Sequence, residues 1–86
     1  MPISYVFILS DETNRLMIKT KMLSNPDEKP LINLREKRLV YYEVFDSFFE
    51  ANKRKETFES WPEKKIKFLI DFVNPLWEDW KEEIKN

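Results

Sequence analysis

Lys53-Arg54-Lys55 is the densest run of positive charge in the chain, and its spacing places it on a helix, where such a run can meet a phosphate. Glu50, Glu56 and Glu59 flank it, so a solvated, charge-balanced helical turn is the other reading of the same pattern. Lys55 stands apart from its two neighbours. It falls on one stripe with Phe48, Ala51 and Phe58, so it faces the sheet. Either its stem packs on apolar surface while the ammonium snorkels outward, or it pairs with a carboxylate such as Glu43. Tyr5, Phe7 and Met17 form an apolar set on the first two extended segments, as core or as the lining of a cleft. Trp77 and Trp80 are three residues apart, which puts both near one face of a helix and offers an interface.

The missing residue types restrict the chemistry more than the present ones extend it. Histidine is absent, which removes the commonest general base and the usual zinc sites. Cysteine is absent, so disulfides and thiolate metal sites are excluded. Glycine is absent as well, and phosphate-cradling loops need it for close backbone approach, which excludes the P-loop, Rossmann and kinase classes. No cofactor is expected.

The chain has 86 residues, the size of one domain with one modest core. Aromatics make up 15%, so that core should be rich in rings. Charged residues make up 36%, yet the net charge is only −1, whereas nucleic-acid-binding domains carry a basic excess. The apolar run Val6 to Leu9 is too short for a signal peptide or a membrane span, and Asp11 and Glu12 follow it. A cytoplasmic, soluble protein without a membrane partner is the expectation.

The elements that position these residues follow from pattern. Ile3 to Leu9 is apolar on both faces, as a central strand is. Ser10 to Arg15 is a turn in which Asn14 can take positive φ in place of glycine, and Leu16 to Lys21 completes a hairpin. Ser24 to Pro30 reads as irregular chain, and Leu31 to Arg38 as a short helical turn. Leu39 to Phe45 is the strongest strand. Ser47 and Glu50 form a capping-box pattern for a helix to about Ser60, and Ser60 and Glu63, with Pro62 in the first turn, repeat it. Ile66, Leu69, Ile70 and Val73 form the next stripe, with Phe68 and Phe72 as a second ridge, so this helix should be buried on more than one side. Asn74-Pro75 reads as the start of a last helix through Trp77 and Trp80.

Several of these segments resemble the small single-domain GIY-YIG nucleases. Tyr5-Val6-Phe7-Ile8-Leu9 is similar to that family's first strand, and Leu16-Met17-Ile18-Lys19-Thr20 to its second. Leu39-Val40-Tyr41-Tyr42-Glu43 matches the third letter for letter. Glu50, Ala51, Arg54, Phe58 and Trp61 follow the next helix, and Asn74-Pro75-Leu76-Trp77 the closing motif. The likeness covers nearly the whole chain and is weakest between Met22 and Lys37. It implies an α+β fold: a small three-stranded, mainly antiparallel sheet flanked by helices, in the order β-β-(short α)-β-α-α-α.

The resemblance also implies which positions would carry the chemistry. The two strand tyrosines that activate water and position the phosphate are Phe7 and Met17 here, and neither transfers a proton. Lys19 replaces a glycine, and the segment of the first helix has no arginine before Arg35. The metal-binding glutamate is Lys55, opposite in sign and repelling Mg²⁺. Asn74 alone is retained, as a helix cap or a remnant of the site. The expectation is a catalytically inactive domain that binds protein or pairs with itself, using Tyr5, Phe7, Met17, Trp77 or Trp80. One alternative is DNA or RNA binding without cleavage, through Lys19, Lys21, Lys53, Lys55, Lys64, Lys65 and Lys67. The other is an active nuclease with relocated residues.

Overall fold

The computed structural model describes residues 3–23 and 37–81. Within them the chain forms β1 (Ile3–Ser10), β2 (Leu16–Leu23), β3 (Arg38–Phe45), α1 (Phe48–Ser60) and α2 (Glu63–Val73). The strands make one antiparallel sheet in the order β2-β1-β3. This is the α+β architecture expected, with β1 central and covered on both faces. The expected helical turn over 31–38 falls largely outside the described residues, and Arg38 itself opens β3.

The β1–β2 hairpin closes without glycine. Asn14 takes φ 62°, the left-handed conformation that asparagine tolerates. The Asp11 carboxylate organises the loop, accepting from the Thr13 hydroxyl at 2.7 Å, the Thr13 N–H at 2.8 Å and the Arg15 N–H at 3.0 Å. Those donors, the Thr13 side chain above all, hold its carboxyl below the usual aspartate range.

Strict alternation along β1 sends its side chains to two separate clusters. Val6 and Ile8 join Val40, Ala51, Phe58, Ile66 and Ile70 on the helix side. Phe7, Leu9 and Leu39 form the other cluster, with Tyr5, Tyr42 and Trp80 packed around it. A β-bulge departs from the alternation in β3. Ile8 pairs with Tyr41 and Leu9 with Leu39, leaving Val40 as the extra residue. Val40 and Tyr41 therefore both pack with the helix-side cluster.

Ser47 caps α1 as its pattern predicts, its hydroxyl accepting the Glu50 N–H at 3.1 Å. The second capping pattern is not used. Ser60 ends α1 and its hydroxyl donates to the Thr57 carbonyl at 2.6 Å, while Pro62 takes the cap position of α2 without a side-chain bond. The two helices are anchored mainly by Ala51, Phe58, Ile66 and Ile70. A fully buried ring such as Phe58 contributes about 1.5–3 kcal/mol.

Two expectations for the C-terminal third are corrected. Phe68 and Phe72 do not bury a second side of α2; they are 72% and 79% exposed. Nor does a helix follow Asn74: residues 75 and 76 form a turn and 77–80 are irregular. Trp77 sits at φ 53°, a conformation a helix cannot contain. Its N–H reaches the Asn74 carbonyl at 2.9 Å and its indole N–H reaches Asp71 Oδ1 at 2.6 Å, which hold the turn against backbone strain.

Candidate functional site

Three surfaces hold polar groups in an organised way: the junction of α1 with β3, the strap over 74–81, and the outward side of α2.

At the junction, Glu43 on β3 lies beside Arg54 on α1. Arg54 Nε donates to Oε1 at 2.8 Å and Nη2 to Oε2 at 3.1 Å, a bidentate pair. Tyr41 Oη donates to Oε2 at 2.5 Å. The guanidinium lies over the Phe58 ring, 4.4 Å from its centroid, and Trp61 meets Phe58 edge-on at 5.2 Å. The bond to Glu43 raises the pKa of Arg54 above its ordinary value. Burial, with the Glu43 hydrogen bond, pushes the Tyr41 phenol up to about 12. Both carboxylate oxygens are thus occupied and the phenol keeps its proton at neutral pH. The arrangement fastens the helix to the sheet and has neither a free base nor a poised nucleophile.

Arg54, not Lys55, is the partner of Glu43. The stripe expected through Phe48, Ala51, Lys55 and Phe58 is in fact centred on Ala51 and Phe58, with Arg54 and Trp61 continuing it toward β3. Phe48 is exposed and Lys55 half-buried. Among the described residues no carboxylate pairs with Lys55, an arrangement in keeping with a snorkelling stem.

The strap begins at Asn74, which is buried. Its Nδ2 donates to the Val40 carbonyl at 3.1 Å and to the Glu78 carbonyl at 2.9 Å, and its Oδ1 accepts the Glu78 N–H at 3.0 Å. Val40 is the bulge residue, so Asn74 satisfies a carbonyl displaced from the regular ladder. Beyond it, Asp79 accepts the Leu39 N–H at 3.0 Å and the Trp80 N–H reaches the Leu39 carbonyl at 2.8 Å. These bonds cover the β3 edge at the bulge. Asn74 therefore acts as a tertiary clamp in place of the expected helix cap. No pattern in the sequence marks Asp79 as the group that meets Leu39, because that pairing joins residues 40 apart.

Of the positions carried over from the nuclease resemblance, Phe7, Met17 and Lys19 lie together and Lys55 lies apart from them. Phe7 pairs with Lys19, and Leu9 with Met17, on the sheet face away from the helices. Lys55 is on α1, which covers the opposite face. Of the residues expected at a binding cleft, Tyr5, Phe7 and Met17 share that face away from the helices, where they pack beside Leu9. Tyr5 stacks on Phe7 at 5.3 Å, and Phe7 is only 2% exposed. Met17 borders a separate cleft of about 790 Å³ at the hairpin end, where Asp11, Arg15, Glu59 and Glu63 mix both signs of charge. Trp77 packs with the helix-side cluster and Trp80 with the other, so the two do not share a face.

The third surface is the outward side of α2. Phe68 and Phe72 are one turn apart on it, and Leu76, 77% exposed, follows in the turn after the helix. Ile66 and Ile70 on the opposite side are buried in the core. Lys64, Lys67 and Asp71 follow one flank of this apolar line, and together with Glu63 and Phe68 they border one shallow depression.

No family model, curated protein or solved structure matches this chain. Among the described residues no group of three acidic side chains is placed to hold a metal ion, and no helix is long and apolar enough to cross a membrane.

Proposed function

We propose that this chain is a catalytically silent domain with a GIY-YIG-like layout that works by binding protein through the outward face of α2. The observation that carries this reading is the exposure of Phe68 and Phe72 one turn apart on α2, with Leu76 exposed in the turn that follows the helix. Isolated exposed apolar residues are ordinary, but two large rings one turn apart on a helix, with a third large apolar side chain exposed just beyond it, mark a contact surface. The order of strands and helices supports the layout. The separation of Phe7, Met17 and Lys19 from Lys55 across the sheet, and the full occupation of Glu43, support the absence of catalysis.

The test is a pull-down in which wild-type chain and the Phe68→Asp/Phe72→Asp variant serve as parallel baits. Proteins held at both low and high salt by wild type, and lost with the variant, are the expected result, because apolar contact resists salt where phosphate contact does not. Equal retention by both baits, or plasmid nicking with Mg²⁺ by the purified monomer, would overturn the reading.

A further inference from the structure

The charge pattern of α2 is reversed with respect to its own dipole. Lys64, Lys65 and Lys67 lie in its first five residues, and its last turn contains no basic residue. The helix N-terminus carries partial positive charge and the C-terminus partial negative charge, so Lys64 and Lys65 in the first turn stand at the unfavourable end, offset there by Glu63. Two are partly compensated within the chain. Lys65 lies over the Trp61 ring at 4.2 Å, and Lys67 is 3.5 Å from Glu63. An antiparallel neighbour with the same sequence would place every one of them beside a C-terminal end.

The apolar line has the symmetry to accept such a neighbour. Residues at i and i+4 lie nearly above one another on a helix, so Phe68 and Phe72 straddle an outward point at the axial level of Ile70, which itself faces the core. A twofold axis at that level, perpendicular to both helices, brings Phe68 of each copy against the partner's Phe72. The same axis keeps like flanks together. Lys64, Lys67 and Asp71 share one flank, so Lys67 of each copy falls about 3 Å along the axis from the level of the partner's Asp71, within reach of a lysine side chain. Asp71 Oδ1 accepts the Trp77 indole N–H, which leaves Oδ2 for this contact, and two such attractions are set against one approach of Asp71 to the partner's Asp71. Both contacts occur twice, as an isologous interface requires.

We propose, resting on the protein-binding reading above, that the occupant of this face is a second copy of the chain. The two α2 helices run antiparallel, with Phe68 on the partner's Phe72 and Lys67 beside the partner's Asp71. A pair of helices this short falls below the standard interface size, so the dimer is weak, with Kd on the order of 10–100 µM.

Sedimentation equilibrium across that range tests it. The mass of wild type should rise from 10.6 kDa toward twice that value. Phe68→Asp/Phe72→Asp should stay monomeric while keeping its far-ultraviolet circular dichroism, since both rings are exposed in the monomer. Lys67→Glu should weaken the dimer about tenfold, because two attractions become two repulsions. Mixing Lys67→Glu with Asp71→Asn, whose amide oxygen still accepts the Trp77 indole N–H, should give a heterodimer tighter than either homodimer, because the antiparallel register then sets Lys67 of one copy against Asp71 of the other and removes the facing carboxylates. A wild type that stays monomeric to about 1 mM overturns the second-copy inference, while variant-sensitive pull-down would leave the protein-binding reading standing. Dimerisation that survives the double aspartate variant, or mixing without preferential pairing, also overturns it.

Discussion

Asn74 and Tyr41 show how much a single polar group decides in a chain this small. An asparagine that merely capped a helix would tolerate aspartate, an equally good cap. Asn74 instead donates to two carbonyls, and a carboxylate there would face both oxygens with no proton to offer. Asn74→Ala should therefore cost about 2–4 kcal/mol in urea unfolding, the loss of a buried, doubly used amide. Asn74→Asp at neutral pH should cost at least as much. An aspartate variant as stable as wild type would return Asn74 to the role of a cap. Tyr41 sets a second expectation, for alkaline pH. Its folded pKa of about 12 exceeds the ordinary value of 10.0, so the folded state keeps a proton that the unfolded chain loses. Its contribution is complete below about pH 10 and falls as pH rises toward 12. Tyrosinate absorbance should accordingly show Tyr41 titrating well above an unperturbed phenol, and Tyr41→Phe should flatten the stability profile between those pH values.

At the scale of elements, the strands were legible because β-branched and aromatic residues gather in runs bounded by turn formers. Leu39 to Phe45 became Arg38–Phe45, and the glycine-free turn at Asn14 formed as its residues allow. The helices were legible as helices but not in every contact. Arg54 reads as a surface charge by type, and the spacing of Phe48, Ala51 and Phe58 runs through Lys55 instead. Yet a guanidinium can lie over a ring and pair with a carboxylate at once, and Arg54 does both. Arg54→Met should thus destabilise by about 2 kcal/mol, since it strands the partly buried Glu43 carboxylate. Lys55→Met should stay within about 1 kcal/mol of wild type or exceed it, because no partner is stranded. Equal losses in parallel urea melts would refute that division. The end of α2 was illegible for a related reason. Asn-Pro opens helices and tight turns alike, and the choice was made by the displaced Val40 carbonyl, which no local pattern reveals. Apolar periodicity likewise placed Phe68 and Phe72 on a ridge without saying whether anything covers it.

Across the whole molecule, a three-stranded sheet with a cluster on each face leaves helix surface over once its core is filled, and the surplus falls on the outer side of α2. The same distribution bears on nucleic acid. Tight binding needs several cations converging on one backbone track, because each neutralised phosphate releases counterion. The seven lysines singled out by sequence are spread over β2, α1 and α2, on both sides of the sheet. Lys53 lies over the Phe49 ring at 5.2 Å, Lys65 over Trp61, and Lys67 beside Glu63. With a net charge of −1, no long-range attraction gathers phosphate toward any one of them. Fluorescence anisotropy with a labelled duplex and a labelled single strand should therefore give Kd weaker than about 100 µM at physiological salt, at or beyond the weak limit of ordinary non-specific binding. At low salt the slope of log K against log salt should correspond to no more than about two or three phosphates. Micromolar affinity at physiological salt, with a slope of six or more, would mean that the lysines converge on a backbone after all, and would make nucleic acid the ligand of this fold.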